Sequence, residues 1–388
     1  MAWPGTRIDA EKRLADFAPF MGDAYCRRRG FDRGPGRHSD VSRLSPLLRH
    51  RLILERDCIE LAIRTHGRAA DRFVHEVFWR SYFKGWLEQH PQVWTDSRPD
   101  GPPDEATLRA MRGETGIDCF DAWVRELVGT GYLHNHARMW FASIWIFTLG
   151  LSWRRGADFF LRHLLDGDPA SNTLSWRWVA GLHSRGKSYL ADPRNIAEFT
   201  LGRFNPTGLA TTAPPLDHQE PDAPERRPLH EPQAPQPGRP TVLLITPEDC
   251  RPEDFAWPET PRAAATLHTS HLRSDLPVAP MVAEYEDALL RDAGRRSGYE
   301  VTRLRAGDPR QLADWAQGHR ATQIVTPHVP TGPLRDWLDA ARPHLDARGI
   351  TLAQQRRDWD RIVHPFASAG YFKLKKRIPE ILQATGLA

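Results

Sequence analysis

Residues 207–240 cannot bury a core, and that divides the chain. From 211 to 240 the segment reads TTAPPLDHQEPDAPERRPLHEPQAPQPGRP. Prolines recur through it and apolar side chains are nearly absent, so nothing there offsets the entropy of ordering a compact unit. The segment predicts a linker between residues 1–206 and residues 241–388. A chain of 388 residues has room for two or three domains.

Beyond the linker, strand and helix patterns alternate. Thr241–Thr246 is a short apolar run, and strands are also expected at Tyr299–Leu304, Thr322–Val325 and Gly349–Leu352. Helical periodicity marks Val278–Arg296, Pro309–His319 and Pro333–Asp346. Such alternation implies a parallel sheet covered on both faces, a Rossmann-like α/β domain. No G-x-G-x-x-G follows Thr241–Thr246, so the dinucleotide fingerprint is absent there. Near the end, Lys373-Leu-Lys-Lys-Arg377 reads as a solvated basic face of a terminal helix.

Before the linker the patterns are helical. Asp9–Phe17, Phe73–Leu87, Phe120–Val128, Tyr132–Leu151 and Trp153–Leu165 have helical spacing, while 95–115 is loop-rich. Asp168-Pro169 reads as an N-cap and a first-turn proline, so another helix begins there, with Asn172 one turn in and Trp176 and Trp178 following. Glu76, Trp79, Arg80 and Phe83 share one helix face, and Glu76 and Arg80 are spaced to pair at i,i+4. An ordinary helix with a surface ion pair and core aromatics has the same pattern.

Two loops carry anion-binding chemistry. Tyr25–His38 is rich in arginine and glycine, and either holds a phosphate or is a solvated basic loop. Ser42-Arg43-Leu44-Ser45-Pro46 leads into a helix, where hydroxyls cap the first turn or donate to an anion. Lysine and arginine number 53 against 49 acidic residues, a mild excess that fits a nucleic-acid partner or a solvated surface. The four cysteines form no C-x-x-C, so neither zinc nor a disulfide framework is expected, and a reducing compartment fits. The N-terminus lacks a signal peptide's apolar segment, and the longest uncharged apolar run, Met139–Trp153, is too short to span a bilayer. A cytoplasmic monomer without a membrane partner is the expectation.

Four blocks stand in order: SRLSP at 42–46, EVFWR at 76–80, HNHARM at 134–139 and DGDPASN…WRW at 166–178. Together they resemble the flavin-binding catalytic domain of the DNA photolyase/cryptochrome family over about residues 20–206, nearest to cyclobutane-dimer photolyases. The resemblance implies an all-helical FAD-binding domain. It matches Tyr25, Ser42, Arg43, Leu44, Ser45, Arg80, Arg138, Asp166, Asp168 and Asn172 to cofactor-binding positions. Glu76, Trp79, Asn135, Met139 and Trp178 match positions that face the lesion in UV-damaged DNA, with Arg185 and Lys187 near backbone phosphates. Trp176 and Trp153 match the first two tryptophans of the family's electron-transfer chain; the third falls at Met111, leaving Trp140, Trp145 or Trp123 as substitutes or as core packing.

The implied activity is a deoxyribodipyrimidine photolyase-like lyase, in which photoexcited FADH⁻ donates an electron to a cyclobutane pyrimidine dimer and receives it back after ring opening. A cryptochrome-like photoreceptor without repair and a DNA-binding flavoprotein without photochemistry are the alternatives. Val41, His136 and Met111 depart from the family's pattern, and the domain order is reversed, with an antenna-like α/β domain placed last. An antenna chromophore is not identifiable.

Overall fold

The computed structural model of the chain describes residues 3–184, 186–216, 220 and 224–387. Its first part is helical: α1 (Arg7–Phe17), α2 (Asp23–Arg28), α3 (Ser45–Arg49), α4 (Glu55–His66), α5 (Asp71–Gln89), α6 (Gln92–Asp96), α7 (Glu105–Arg112), α8 (Asp118–Thr130), α9 (Asn135–Ser143), α10 (Trp153–His163), α11 (Pro169–Val179) and α12 (Pro193–Phe199). Helix α11 starts as its sequence predicts. Asp168 accepts a hydrogen bond from the Ser171 amide, and Pro169 occupies the first turn, where its missing N–H leaves no gap. The helix expected over Tyr132–Leu151 is shorter at both ends. It begins at Asn135 and passes at Ile144–Thr148 into one turn of π-helix. The loop-rich stretch 95–115 contains α7, capped by Asp104 and closed by left-handed Gly113.

After the linker come β1 (Thr241–Ile245), β2 (Ala264–His268), α13 (Pro280–Arg296), β3 (Val301–Arg305), α14 (Arg310–Gly318), β4 (Gln323–Pro327), α15 (Pro333–Asp346) and β5 (Thr351–Gln355), then α16 (Asp358–Val363), α17 (Tyr371–Lys375) and α18 (Ile378–Ala384). The sheet is parallel throughout in the order β3-β2-β1-β4-β5. Strand order reverses between β1 and β4, the point where open α/β sheets leave a crevice at the carboxyl ends of their strands. Here the helical part fills that crevice. Glu248, just past β1, meets Arg49 of α3 at 2.5 Å, and His328, just past β4, meets Glu88 of α5 at 3.1 Å.

Apolar packing crosses the two parts as well. Leu47, Phe78 and Leu165 belong to the same buried cluster as Ile245, Leu289 and Leu374. Gly332, with φ of 153°, lets the α/β part close on Pro169; a Cβ there would lie 2.8 Å from the proline ring. Residues of the linker segment lie along both parts. Gln89 receives the Arg227 amide, and the Gln233 carbonyl receives the Gln354 amide. Among the described residues no helix is long and apolar enough to cross a membrane.

Candidate flavin and nucleic-acid site

Helix α11 starts at a corner of dense charge. Asp168 is 1 % exposed, and three cations converge on it: Arg80 and Lys84 from α5, each at 3.3 Å, and Arg49 from α3 at 3.8 Å. Burial alone would raise this carboxyl. Lys84, Arg80 and Arg49 outweigh that effect and hold it well below the usual carboxylate range. Arg49 also donates to both oxygens of Glu248 and to the Gly167 carbonyl. Two residues earlier, Asp166 accepts two hydrogen bonds from Arg138 of α9, at 3.1 and 2.8 Å. Such a fork-on-carboxylate pair fixes both groups. The Arg138 guanidinium also covers the ring of Tyr132 at 5.6 Å.

The i,i+4 pair expected between Glu76 and Arg80 does not form. Arg80 turns instead to Asp168 and to Glu55, the latter at 3.4 Å. Glu76 pairs with Arg29 and Arg72, each at 3.2 Å. Both alternatives are physically favoured: a buried carboxylate such as Asp168 needs counter-charge more than a half-exposed one does.

A second cavity lies beside α1 and the loop before α3. This cleft has a volume of about 640 Å³ and is lined by Trp3, Lys12, Arg13, Phe17, Ser42 and Arg43, with His38, Ser39 and Val41. Arg43 has φ of 52°, in the left-handed region, and its guanidinium lies over Trp3 at 4.5 Å and over Tyr132 at 5.3 Å. A non-glycine residue there stores strain of about 1 kcal/mol. The buried Arg43 Nε and His38 Nδ1 have no hydrogen-bond partner among the described residues, nor has the Tyr285 hydroxyl of α13. The lining carries Lys12, Arg13 and Arg43 against Asp9 and Asp16, with Asp16 taken by Lys12, and the unmet donors of Arg43 and Tyr285 near its aromatic wall fit an aromatic ligand that carries phosphate. Tyr132 links the two places, since Arg43 and Arg138 both lie against its ring.

The residues expected to hold FAD thus divide. Ser42 and Arg43 line the cleft; the Leu44 amide donates to the Ser42 hydroxyl at 3.4 Å, and Ser45 opens α3. Tyr25 packs edge-on against Phe73 of α5 at 5.3 Å, and burial followed by the charge of Glu76 raises its phenol pKa. Arg80, Arg138, Asp166 and Asp168 form the charged corner. Asn172 points to α10, donating to the Ala157 carbonyl at 2.8 Å, and borders a small cavity of about 60 Å³ with Arg155, Asp158 and Arg273. Such a volume is well below the roughly 300 Å³ of a small-molecule site.

The residues matched to the lesion lie on α5, α9 and α11. Glu76 is half-buried, and burial raises its pKa, with Arg29 opposing. The Arg29 carbonyl faces His134 Nε2 at 3.1 Å, next to exposed Asn135, whose amide approaches Met139 Sδ at 4.0 Å. Trp178 stacks on Tyr189 at 5.6 Å. Trp79 is covered: Tyr371 of α17 lies on it face to face, with centroids 3.6 Å apart and planes at 14°. Lys187 is exposed, whereas Arg185 lies outside the described residues.

Trp176 and Trp153 are both buried, and neither indole nitrogen has a partner among the described residues. Trp176 meets Trp145 edge-on at 6.2 Å, an approach that needs Gly156: a Cβ there would lie 2.2 Å from the Trp176 ring. Trp123 and Trp140 stack on one another at 5.6 Å, and the Arg177 guanidinium covers Trp153 at 5.8 Å. Met111 is half-buried and receives Arg162 Nη2 on its sulfur at 3.5 Å.

Sequence reasoning missed Arg49, Lys84, Glu248, Tyr132, Trp3 and Tyr371. Lys84 alone carried a local signal, four residues beyond Arg80 on the same helix face. A buried relay also went unread. His38 Nε2 is 2.6 Å from Glu126, and His38 Nδ1 is 3.8 Å from Asp32, which also takes Trp123 and Arg203. The carboxylates flank opposite nitrogens of one imidazole, whose ring packs edge-on against Tyr132 at 5.5 Å.

Comparison with known proteins bears on part of this site. Residues 73–208 match the FAD binding domain of DNA photolyase. A deoxyribodipyrimidine photo-lyase of Streptomyces griseus is 38% identical over 146 residues, covering 36% of this chain and 32% of that protein. The Escherichia coli protein of the same name is 31% identical over 193 residues, covering 46% and 38%. The solved structure of a class III photolyase from Agrobacterium tumefaciens is 29% identical, covers 50% of this chain and 42% of its own, and has a TM-score of 0.44. The chain spans about a third of the length of the curated relatives it matches. Over residues 73–208 the chain is therefore similar to the FAD-binding domain of DNA photolyases.

Proposed function

We propose that the chain is a FAD-carrying, light-dependent enzyme that acts on UV-damaged DNA and splits cyclobutane pyrimidine dimers. The observation that carries this reading is the Arg138–Asp166 pair beside Asp168, held within the matched segment and joined through Tyr132 to a cleft with unmet donors. Reduced FAD, when bound, supplies a light-excited one-electron donor; the protein supplies position and electrostatics. Ser42, Arg43 and Ser45 would hold its phosphates, with Tyr25 behind them. Arg80, Arg138, Asp166, Asp168 and Asn172 are the residues proposed for the ring side, where the Arg138 guanidinium favours an anionic reduced ring.

Glu76, Trp79, Asn135, Met139 and Trp178 are proposed for the damaged bases, which must leave the duplex to reach a buried cofactor. A carboxyl whose pKa is raised by burial, like that of Glu76, is suited to share its proton with a base carbonyl. Trp176 and Trp153 are proposed to pass electrons toward the cofactor.

A second reading is favoured by one contact. Tyr371 occupies the face of Trp79 that would receive an extruded base, as expected of a photoreceptor that does not repair. Illumination of the reduced, FAD-loaded protein with a thymine-dimer oligonucleotide separates the two. Loss of the dimer, reduced in Glu76→Ala, supports repair. Intact dimer in wild type and in Tyr371→Ala, with the flavin still photoactive, selects the photoreceptor.

A further inference from the structure

Helix α17 brings the α/β part onto the face of α5 that holds Glu76 and Trp79. Tyr371 anchors it, stacked on Trp79 and donating its hydroxyl to the His75 carbonyl at 2.9 Å. Leu374 also points inward and is buried. The residues between and after them point outward: Phe372 is 73% exposed, and Lys373, Lys375 and Lys376 are exposed. Among the described residues none of these three lysines has an ion-pair partner, whereas the next residue, Arg377, is taken by Glu380 at 2.6 Å.

The same stretch of α5 has cations on its other flank. Helix α2, which packs on α5 through Tyr25 and Phe73, presents exposed Arg27 and Arg28, also without ion pairs among the described residues. The carboxylate between the flanks, Glu76, is already shared by Arg29 and Arg72. Excess positive charge therefore rims the Glu76–Trp79 face from both parts of the chain. A five-residue helix with one outward aromatic offers a bilayer little apolar area. One aromatic among unpaired lysines is what a base and its flanking phosphates meet.

We propose that α17 is a nucleic-acid contact element. Phe372 stacks on an unpaired base, and Lys373, Lys375 and Lys376 meet phosphates of the same strand, so the strand approaches the Glu76–Trp79 face across the α/β part. This rests on the DNA-binding reading above. It adds a contact surface outside residues 73–208, the segment that matches the FAD-binding domain.

The test is fluorescence anisotropy of the full-length chain with a labelled single-stranded oligonucleotide over a salt series. Replacing all three lysines (Lys373→Gln, Lys375→Gln, Lys376→Gln) should weaken binding and reduce the slope of log affinity against log salt by about 2, near 0.7 for each lost phosphate contact. Phe372→Ala should weaken binding on the order of tenfold and leave the slope unchanged. All four side chains are exposed, so the thermal transitions should match wild type. Wild-type affinity and slope in both variants overturn the role of α17 while the DNA reading stands. No binding by the wild type overturns both. Binding to anionic vesicles that the substitutions abolish, with oligonucleotide affinity kept, also overturns it.

Discussion

The corner at Asp168 and the cleft at Arg43 are both rich in arginine, yet their charges are handled in opposite ways. At the corner every charge has a partner: Asp168 faces Arg80, Lys84 and Arg49, and Arg49 in turn holds Glu248. At the cleft the Arg43 guanidinium lies on two aromatic rings, and its Nε has no partner among the described residues. Low-dielectric surroundings make a paired charge a positioning device and an unpaired donor a demand for a ligand. The corner therefore fixes α11 and the two parts of the chain relative to one another, and the cleft is where binding free energy is available.

The largest effect should come from removing the centre of the corner. Asp168→Ala leaves Arg80, Lys84 and Arg49 to share the two remaining carboxylates, Glu55 and Glu248, and uncaps α11, at a cost of about 3–5 kcal/mol in urea unfolding. Asp168→Asn keeps a cap acceptor and should recover part of this loss. A loss below about 1 kcal/mol in Asp168→Ala would erase the distinction between corner and cleft.

Acid should attack the same place. The Asp168 carboxyl is held well below its ordinary value, and that of Glu248 is lowered too, where Arg49 and Lys84 outweigh the effect of burial. Depressed carboxyls contribute stability that is complete above their unfolded pKa values, roughly 3.9 and 4.3, and is lost as pH falls through the folded values. Stability contributed by the corner should thus be level from neutral pH to about 4.5 and decline below about pH 4. The decline should be shallower in Asp168→Asn. Denaturant midpoints measured across this range check both.

Packing offers a third probe. If the placement of α11 depends on close contact as well as on charge, Gly156→Ala forces its Cβ into the Trp176 ring, since 2.2 Å leaves no room. A loss of about 1–3 kcal/mol is expected, with a change in the near-ultraviolet circular dichroism of the buried tryptophans. An unchanged transition would assign the fixing of α11 to charge alone.

The sequence made the two classes of structure legible but not their contact. Strand β1 and helices α13 and α15 were readable because apolar periodicity and terminal prolines agree there. Strand β2 was not, because Ala264-Ala265-Thr266-Leu267-His268 has weak strand propensity and is held by the strands on either side. Helix α7 was hidden by the prolines before it, although Asp104 and Gly113 mark its ends. The Arg138–Asp166 pair followed from family resemblance, while the Glu76–Arg80 pair, read from spacing, was displaced by partners distant in the chain. Trp79 and Tyr371 show the limit most sharply: 292 positions separate them, and no local pattern encodes their stack.

The smallest effect on stability should accompany a large effect on binding, and it lies in the cleft. Arg43 holds a left-handed backbone at a cost of about 1 kcal/mol, a strain that glycine would not have. Its two cation–aromatic contacts return a similar amount, at about 0.5–1 kcal/mol each. Arg43→Gly should therefore unfold within about 1 kcal/mol of wild type, and Arg43→Ala, which keeps the strain and loses the contacts, should be the less stable of the two. Both remove the charge proposed to meet the cofactor's phosphates, so flavin retained through purification and FAD affinity by fluorescence quenching should fall at least on the order of tenfold. A stable variant with full flavin content would show that the cleft is not where the cofactor's phosphates bind. Its unmet donors would then have to serve another ligand, and the contrast with Asp168 would concern folding alone.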